Sequence, residues 1–237
     1  GQYKASYQVL KGSLIFALVV GTIASLVVYF GAEFFTGTLL KTPYSVFALK
    51  ILGPALIVVA VLGVLRGFFQ GLGTMMPSAI SQIIEQIVNA IISVWAAYVL
   101  TGYGRKIGAV LGDPDHYGAA YGAAGGTLGT NLGSVAALLF VLFIFFAYMH
   151  VFKRQMKREH NVKVDPFSYT LKVLIITIIP VLLSTTVYNI SGIIDQGIFK
   201  NVALLQGYSD HQIDLWWGVF TGKYKLLINV PISIASA

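Results

Sequence analysis

The stretch Tyr117–Met149, YGAAYGAAGGTLGTNLGSVAALLFVLFIFFAYM, contains no charged residue. A helix that crosses the hydrocarbon core of a membrane needs about 20 mostly apolar residues, each adding about 1.5 Å. The stretches that meet this requirement are Ser13–Phe35, Phe47–Leu72, Ala79–Leu100, Tyr117–Met149 and Leu171–Ile194, and a further one opens at Leu226. The sequence therefore predicts an all-α transmembrane helical bundle with five complete spans and the start of a sixth.

The composition excludes an ordinary soluble domain. The chain is 57% hydrophobic and only 11% charged, whereas soluble domains carry about 25% charged residues. The formal charge of +7 does not indicate nucleic acid, because the basic residues lie between apolar runs instead of forming one basic face. The absence of cysteine excludes a disulfide framework and a thiolate metal site.

Basic residues near the helix ends predict the orientation of the chain. Four of them crowd the start of the predicted linker 153–170: Lys153, Arg154, Lys157 and Arg158. Lysine and arginine beside a membrane span favour the cytoplasmic side, so we place this linker in the cytoplasm. Residues 102–116 and 201–225 then become loops on the opposite side, where Trp216 and Trp217 suggest an interfacial anchor.

Glycines in the fourth run recur at four-residue steps. They form the series Gly118, Gly122 and Gly126, and the series Gly125, Gly129 and Gly133. Small residues at this spacing let two helix backbones approach closely in lipid. The pattern predicts a helix-packing face.

Two predicted spans carry polar residues along one side. In the third run these are Ser78, Gln82, Glu85, Gln86, Asn89 and Ser93. In the fifth they are Thr177, Ser184, Tyr188, Ser191 and Asp195, with Thr185, Asn189 and Gln196 beside them. Unpaired polar groups in hydrocarbon are costly, so these sides face partner helices or a water-filled cavity. Interhelical hydrogen bonding and a transport conduit both remain open at this point.

Charged residues and prolines inside the runs are the candidate functional residues. Arg66 and Glu85 lie at similar depths on either side of the turn at residues 71–77, so we expect them to meet, as a structural pair or as a gating pair. Asp195 near Asn189 suits a sodium ion or a proton, although simple solvation at the membrane boundary is the alternative. Pro54 and Pro180 interrupt helices as static kinks or as hinges.

No pattern in the sequence indicates an enzyme. The four histidines are scattered, and the glycine-rich segments have the wrong spacing for a phosphate loop. Asp210, His211 and Asp214 form at most an incomplete metal-ligand set, for which a solvated loop is the simpler interpretation. We predict neither catalytic residues nor a bound metal.

The motifs RGFFQG at 66–71 and MPSAISQIIEQ at 76–86 resemble flippases of the multidrug/oligosaccharidyl-lipid/polysaccharide superfamily, in particular its MurJ and SpoVB-like branch. The resemblance implies a two-lobed bundle of about fourteen helices that works by alternating access. Residues 1–152 would be helices three to six in the N-terminal lobe, 153–170 the linker, and 171–237 helix seven and the start of helix eight. We therefore expect the chain to be an internal piece of a longer protein in the bacterial cytoplasmic membrane.

The resemblance also implies a function. The expected substrate is a lipid-linked oligosaccharide or peptidoglycan precursor, lipid II-like, moved by means of a cavity and gate. The residues expected in that cavity and gate are Arg66, Gln82, Glu85, Gln86 and Asn89. A carboxylate on the seventh helix contributes to a cation site in this branch, and Asp195 holds that position, with Na⁺ or H⁺ as the coupling ion.

Two other functions fit the same sequence features. A cation-coupled multidrug exporter of the same superfamily needs a similar polar interior, and a non-transporting membrane scaffold needs only the helix-packing contacts. The expected partners are the lipid-linked sugar, membrane lipids and other cell-wall or polysaccharide-synthesis proteins, without nucleic acid.

Overall fold

The computed structural model describes residues 2–159 and 165–235, and its regular elements are all helical. The α-helices are α1 (Tyr3–Glu33), α2 (Val46–Gly71), α3 (Met76–Leu111), α4 (Pro114–Arg158), α5 (Phe167–Leu205), α6 (Asp210–Val219) and α7 (Lys225–Ala235). A π-helical segment, Phe34–Leu39, extends α1, and another, Phe220–Tyr224, joins α6 to α7. Within the described ranges, α1 to α5 are long and apolar enough to cross a membrane, which confirms the five predicted spans.

The helices extend beyond the apolar runs that predict them. The expected loop 102–116 is wrong, because α3 continues to Leu111 and α4 begins at Pro114. Gly104 and Gly108 do not end α3, since both pack closely against the backbone of the α3–α4 turn and the start of α4. The expected loop 201–225 is also wrong, because it contains the end of α5, the whole of α6 and the second π-helical segment.

The linker and the two ends of the chain are only partly described. α4 carries the four basic residues of the predicted linker 153–170 as far as Arg158. Residues 160–164 of that linker, and the last two residues of the chain, lie outside the described ranges. The assignment of 1–152 and 171–237 to two lobes stays a prediction.

α3 and α4 pack along a seam of small residues. A Cβ added to Gly125 would lie 2.6 Å from the backbone of Ala96, and one added to Gly133 would lie 2.7 Å from the carbonyl oxygen of Glu85. Gly129 meets Ser93 in the same way, with the Cα of Ser93 2.6 Å away. The predicted packing face is thus confirmed for the series Gly125, Gly129 and Gly133.

The second glycine series behaves differently along its length. Gly118 lies against the side chain of Arg105 and Gly122 against that of Thr101, whereas a Cβ at Gly126 would meet nothing within 4 Å. Of the two series, it is therefore Gly125, Gly129 and Gly133 that form a continuous backbone contact.

α2 packs against α4 through an apolar core. Leu62, Leu65 and Phe69 of α2 are buried with Ala137 and Val141 of α4. Aromatic rings extend this core toward the end of α4, with Phe68 in edge contact with Phe145 and Phe152. Together with the glycine seam, this core packs α2, α3 and α4 into one group.

The turn between α3 and α4 has a defined cap. Gly112 ends α3 in the left-handed conformation with φ of 82°, which glycine adopts without strain. Asp113 caps α4 by accepting from the backbone N–H of His116, and its other carboxylate oxygen accepts from the hydroxyl of Tyr44 at 2.7 Å. The turn is therefore tied to the segment that leads into α2.

We expect Tyr44→Phe to destabilise this turn at neutral pH and to have little effect in acid. The hydrogen bond from Tyr44, followed by that from His116, lowers the pKa of Asp113. A carboxyl group with a lowered pKa stabilises the fold above its unfolded pKa and loses this contribution as the pH falls through the folded pKa. The difference in Tm between the two proteins should shrink below about pH 4. Equal differences at neutral and acidic pH would contradict this assignment.

The chain divides into two compact units, Gly1–Ile179 and Pro180–Ala237. In the second unit, Lys200 of α5 is buried and its Nζ lies 3.1 Å from Asp214 and 3.6 Å from Asp210 on α6. α6 begins with a capping box formed by Ser209 and Gln212. Asp210 and Asp214, two members of the incomplete metal-ligand set, therefore neutralise Lys200.

Candidate functional site

Arg66 of α2 and Glu85 of α3 meet inside the first unit. Arg66 Nη2 donates to Glu85 Oε2 at 2.7 Å, and the two side chains are 16% and 19% exposed. The predicted meeting of these residues is therefore confirmed. Both lie within helices that are apolar enough to span a membrane, where an unpaired charge is expensive. Pairing relieves that cost for each of them.

Two serines complete the coordination of this ion pair. Ser81 Oγ accepts from Arg66 Nε at 2.8 Å and donates to the carbonyl oxygen of Ser78 at 2.7 Å. Ser134 of α4 donates to Glu85 Oε1 at 2.9 Å. Arg66, Ser81, Glu85 and Ser134 are called the Arg66 cluster below. It joins α2, α3 and α4 at one point.

The sequence patterns missed Ser81 and Ser134. Both are buried, and each has a signal that could have found it. Ser81 stands four residues before Glu85 and so lies on the same helix face. Ser134 directly follows Gly133, one of the glycines that predict the seam.

A second group of polar side chains lies farther along the same seam. Ser93 Oγ is 2.7 Å from Asn89 Oδ1 and 2.9 Å from the carbonyl oxygen of Gly126. Thr130 Oγ1 donates to Asn89 Oδ1 at 3.3 Å. Asn89 is thus engaged in a contact between α3 and α4, as interhelical hydrogen bonding predicts.

Gln82 and Gln86 point to another side of α3. Both are exposed, whereas Ser81, Glu85 and Asn89 face neighbouring helices. The predicted polar side therefore consists of a packed part and an open part. Ser81, Glu85 and Asn89 already have hydrogen-bond partners on neighbouring helices. The side-chain amides of Gln82 and Gln86 are exposed, so they are accessible to a bound molecule.

Pro54 lies inside α2, in a segment that α1 and α4 both contact. Gly53 packs against Tyr29 of α1, with an added Cβ only 3.3 Å from the Cβ of Tyr29. Asn131 of α4 donates to the carbonyl oxygen of Ile51 at 2.6 Å. Side chains from adjacent helices commonly stabilise backbone near a membrane proline in this way. These contacts hold the backbone around Pro54 in place, and its role as a hinge stays a prediction.

Asp195 and Asn189 lie in the second unit on α5, which continues without a break to Leu205. Both are exposed, and Asn189 Nδ2 donates to the carbonyl oxygen of Thr185 at 2.7 Å. Six residues along a continuous helix separate them by about 9 Å and by about a third of a turn. α5 alone therefore does not bring the two together, and the cation site stays a prediction. Pro180, the other predicted hinge, stands at the boundary between the two units.

Comparison with known proteins shows what this chain is similar to. Residues 2–112 match the family described as "Polysaccharide biosynthesis protein". Lipid II flippase MurJ of Bacillus subtilis (strain 168) is 33% identical over 108 residues, which are 42% of this chain and 20% of that protein. Stage V sporulation protein B of the same bacterium is 25% identical over 233 residues, 96% of this chain and 42% of that protein. These similarities confirm the predicted resemblance to the multidrug/oligosaccharidyl-lipid/polysaccharide flippase superfamily.

Both relatives belong to the predicted MurJ and SpoVB-like branch, and one of them is named as a flippase. The similarity therefore favours a multi-pass membrane protein over an enzyme. The chain spans less than half the length of either relative named above. No solved structure matches it significantly. Arg66 and Glu85 both lie within the matched residues 2–112.

We expect Ser134→Ala to lower the free energy of unfolding by about 1 to 2 kcal/mol. The substitution removes the donor to Glu85 Oε1, and hydrogen bonds to charged groups are among the stronger ones. Unfolding by SDS in mixed micelles, followed by circular dichroism, measures the loss. Thr127→Ala is the matched control, because its exposed hydroxyl bonds only within α4, to the carbonyl of Ala123. Equal effects of the two substitutions would contradict this role for Ser134.

Proposed function

We propose that this chain is part of a flippase that moves a lipid-linked oligosaccharide or peptidoglycan precursor across the cytoplasmic membrane by alternating access. The observation that carries the proposal is the Arg66–Glu85 ion pair, which lies between two membrane-spanning helices of a chain that resembles the flippase superfamily. Buried charges in membrane proteins characteristically mark transport pathways. The name of one relative, lipid II flippase MurJ, supports this class of substrate.

In this proposal, the Arg66 cluster works as a gate. Closed, the guanidinium of Arg66 is held by Glu85 and Ser81. Open, the same planar group is free to bind the phosphates of a lipid-linked sugar, for which arginine offers paired donors. Gln82 and Gln86, which are exposed on α3, then provide neutral hydrogen-bonding groups for the sugar. Asn89 remains in the helix contact that supports the gate.

The energy source in this proposal is a cation gradient. Asp195 supplies a carboxylate for Na⁺ or H⁺, and Asn189 supplies a neutral ligand from the neighbouring face of α5. Additional ligands must come from other segments, because α5 separates these two side chains. The basic residues at the end of α4 favour a cytoplasmic position for the linker 153–170, which is the side from which the precursor enters in this proposal. Membrane lipids and other cell-wall synthesis proteins complete the proposed partners.

A precursor-translocation assay with the whole protein in vesicles tests the function. We expect Glu85→Gln to abolish translocation, because it removes the charge that holds Arg66. We expect Asp195→Asn to abolish its dependence on the cation gradient. Asn201→Asp is a useful control, because it adds a carboxylate to α5 about 1.7 turns farther along than Asp195. Full translocation and unchanged ion dependence in both variants would overturn the proposed roles.

The same assay separates the two alternative functions. Efflux of cationic dyes without precursor movement would indicate a drug exporter. An absence of any transport, together with intact assembly of other cell-wall proteins, would indicate a scaffold.

A further inference from the structure

The outer face of α3 carries a continuous surface that ends in two basic side chains. One shallow, open depression on this face is lined by Ala90, Ile91, Val94, Trp95 and Tyr98. An adjoining depression is lined mainly by Tyr98, Thr101, Gly102, Tyr103, Arg105 and Lys106. Because Tyr98 belongs to both depressions, they form one surface, called here the α3 groove.

The α3 groove has the length of one membrane leaflet. Fourteen residues of helix separate Ile91 from Arg105, which corresponds to about 21 Å. Half the thickness of a bilayer, including its headgroup region, is about 20 to 22 Å. A phospholipid whose phosphate lies beside Arg105 therefore has its chain ends near Ile91.

The charged end of the groove complements a phosphate group. Arg105 and Lys106 are both exposed, and within residues 2–159 and 165–235 neither has an acidic partner within 4 Å. Other lysines in or near the spans do have such partners, as Lys50 has Glu33 and Lys200 has Asp214. Two unneutralised cations at the height of the headgroups attract anionic lipid.

The groove also holds its basic and aromatic groups in place. The stem of Arg105 lies over Gly118 of α4, where an added Cβ would come within 2.7 Å of Arg105 Cγ. Tyr103, two residues before Arg105, is 57% exposed, and a tyrosine at the height of the headgroups favours the membrane interface. The surface thus runs from apolar, through aromatic, to basic, in the order of the parts of a phospholipid.

We propose that the α3 groove binds one anionic phospholipid, with its phosphate on Arg105 and Lys106 and an acyl chain along Ile91, Val94 and Tyr98. This site is separate from the Arg66 cluster, which faces α2 and α4, and it does not depend on the proposed flippase function.

A single fluorescent label tests the site, because the chain has no cysteine of its own. Gly102→Cys places the label in the groove at a position where an added Cβ meets nothing within 4 Å. The whole chain is reconstituted in phosphatidylcholine vesicles containing spin-labelled phosphatidylglycerol or spin-labelled phosphatidylcholine. We expect spin-labelled phosphatidylglycerol to quench the label at a mole fraction lower by on the order of fivefold.

Variants connect the preference to the proposed residues. Arg105→Gln with Lys106→Gln should abolish it, whereas Lys153→Gln with Lys157→Gln removes the same charge from the far end of α4 and should leave it intact. Gly118→Ala keeps both charges but displaces the stem of Arg105, and it should weaken the preference. Equal quenching by both lipids in the unmodified chain, or a full preference in the double glutamine variant, would overturn the proposal.

Discussion

Glu85→Ala should lower the free energy of unfolding by about 3 kcal/mol, the lower end of the range for breaking a buried ion pair. The substitution leaves the guanidinium of Arg66 in a site where that side chain is only 16% exposed. Arg66 Nε keeps its hydrogen bond to Ser81 in this variant, so we expect a loss of stability at the lower end of that range. Unfolding by SDS in mixed micelles, followed by circular dichroism, measures this change.

Two comparisons show whether the loss comes from the unpaired charge. Gln86→Ala, one residue along α3 and exposed, should change stability by less than about 0.5 kcal/mol. The double variant Arg66→Met and Glu85→Leu replaces the pair by apolar groups and should recover most of the stability. A double variant that is no more stable than Glu85→Ala would show that the charge of Arg66 is not the cause.

Gly125→Ala should destabilise the chain by about 2 to 3 kcal/mol. Its new methyl group would lie 2.6 Å from the carbonyl carbon and oxygen of Ala96 and from the backbone nitrogen of Ala97. Backbone atoms cannot rotate away as a side chain can, so α3 and α4 must separate. The same SDS titration measures the effect, and Gly125→Ser should be at least as harmful.

The neighbouring glycine provides the matched control. An added Cβ at Gly126 meets nothing within 4 Å, and alanine is favoured over glycine in a helix by up to about 1 kcal/mol. Gly126→Ala should therefore leave stability unchanged or raise it. If both substitutions destabilise the protein equally, the glycine effect reflects the backbone of α4 itself and not its contact with α3.

The spans and the glycine seam were predictable because their signals are local. A run of apolar residues such as Tyr117–Met149 is sufficient to identify a membrane helix, and glycine spacing identifies a packing face. The helix ends were not predictable in this way. Hydropathy marks the part of a helix in hydrocarbon, whereas α3 and α4 continue through residues that are compatible with both helix and water.

The candidate site was predictable only in outline. The depth of Arg66 and Glu85 in their helices predicts their meeting, which the structure confirms. The choice of Ser81 over Gln82 as the partner of Arg66 depends on the rotation of α3 about its axis, and that rotation is set by the contact with α4. Sequence periodicity predicts which side of a helix faces a partner with an error of about one residue. This error is large enough to assign the contact to Gln82 when it is made by Ser81.

The glycine seam limits how the molecule can change shape. At Gly125, Gly129 and Gly133, the backbone of α4 lies directly against α3. No long side chain stands between the two helices there to absorb a shift by rotating, so α3 and α4 move as one rigid unit. Any rearrangement that opens the protein to one side of the membrane and closes it to the other must move α3 and α4 together. The contacts that change in such a motion are then those that α1 and α2 make with this pair of helices.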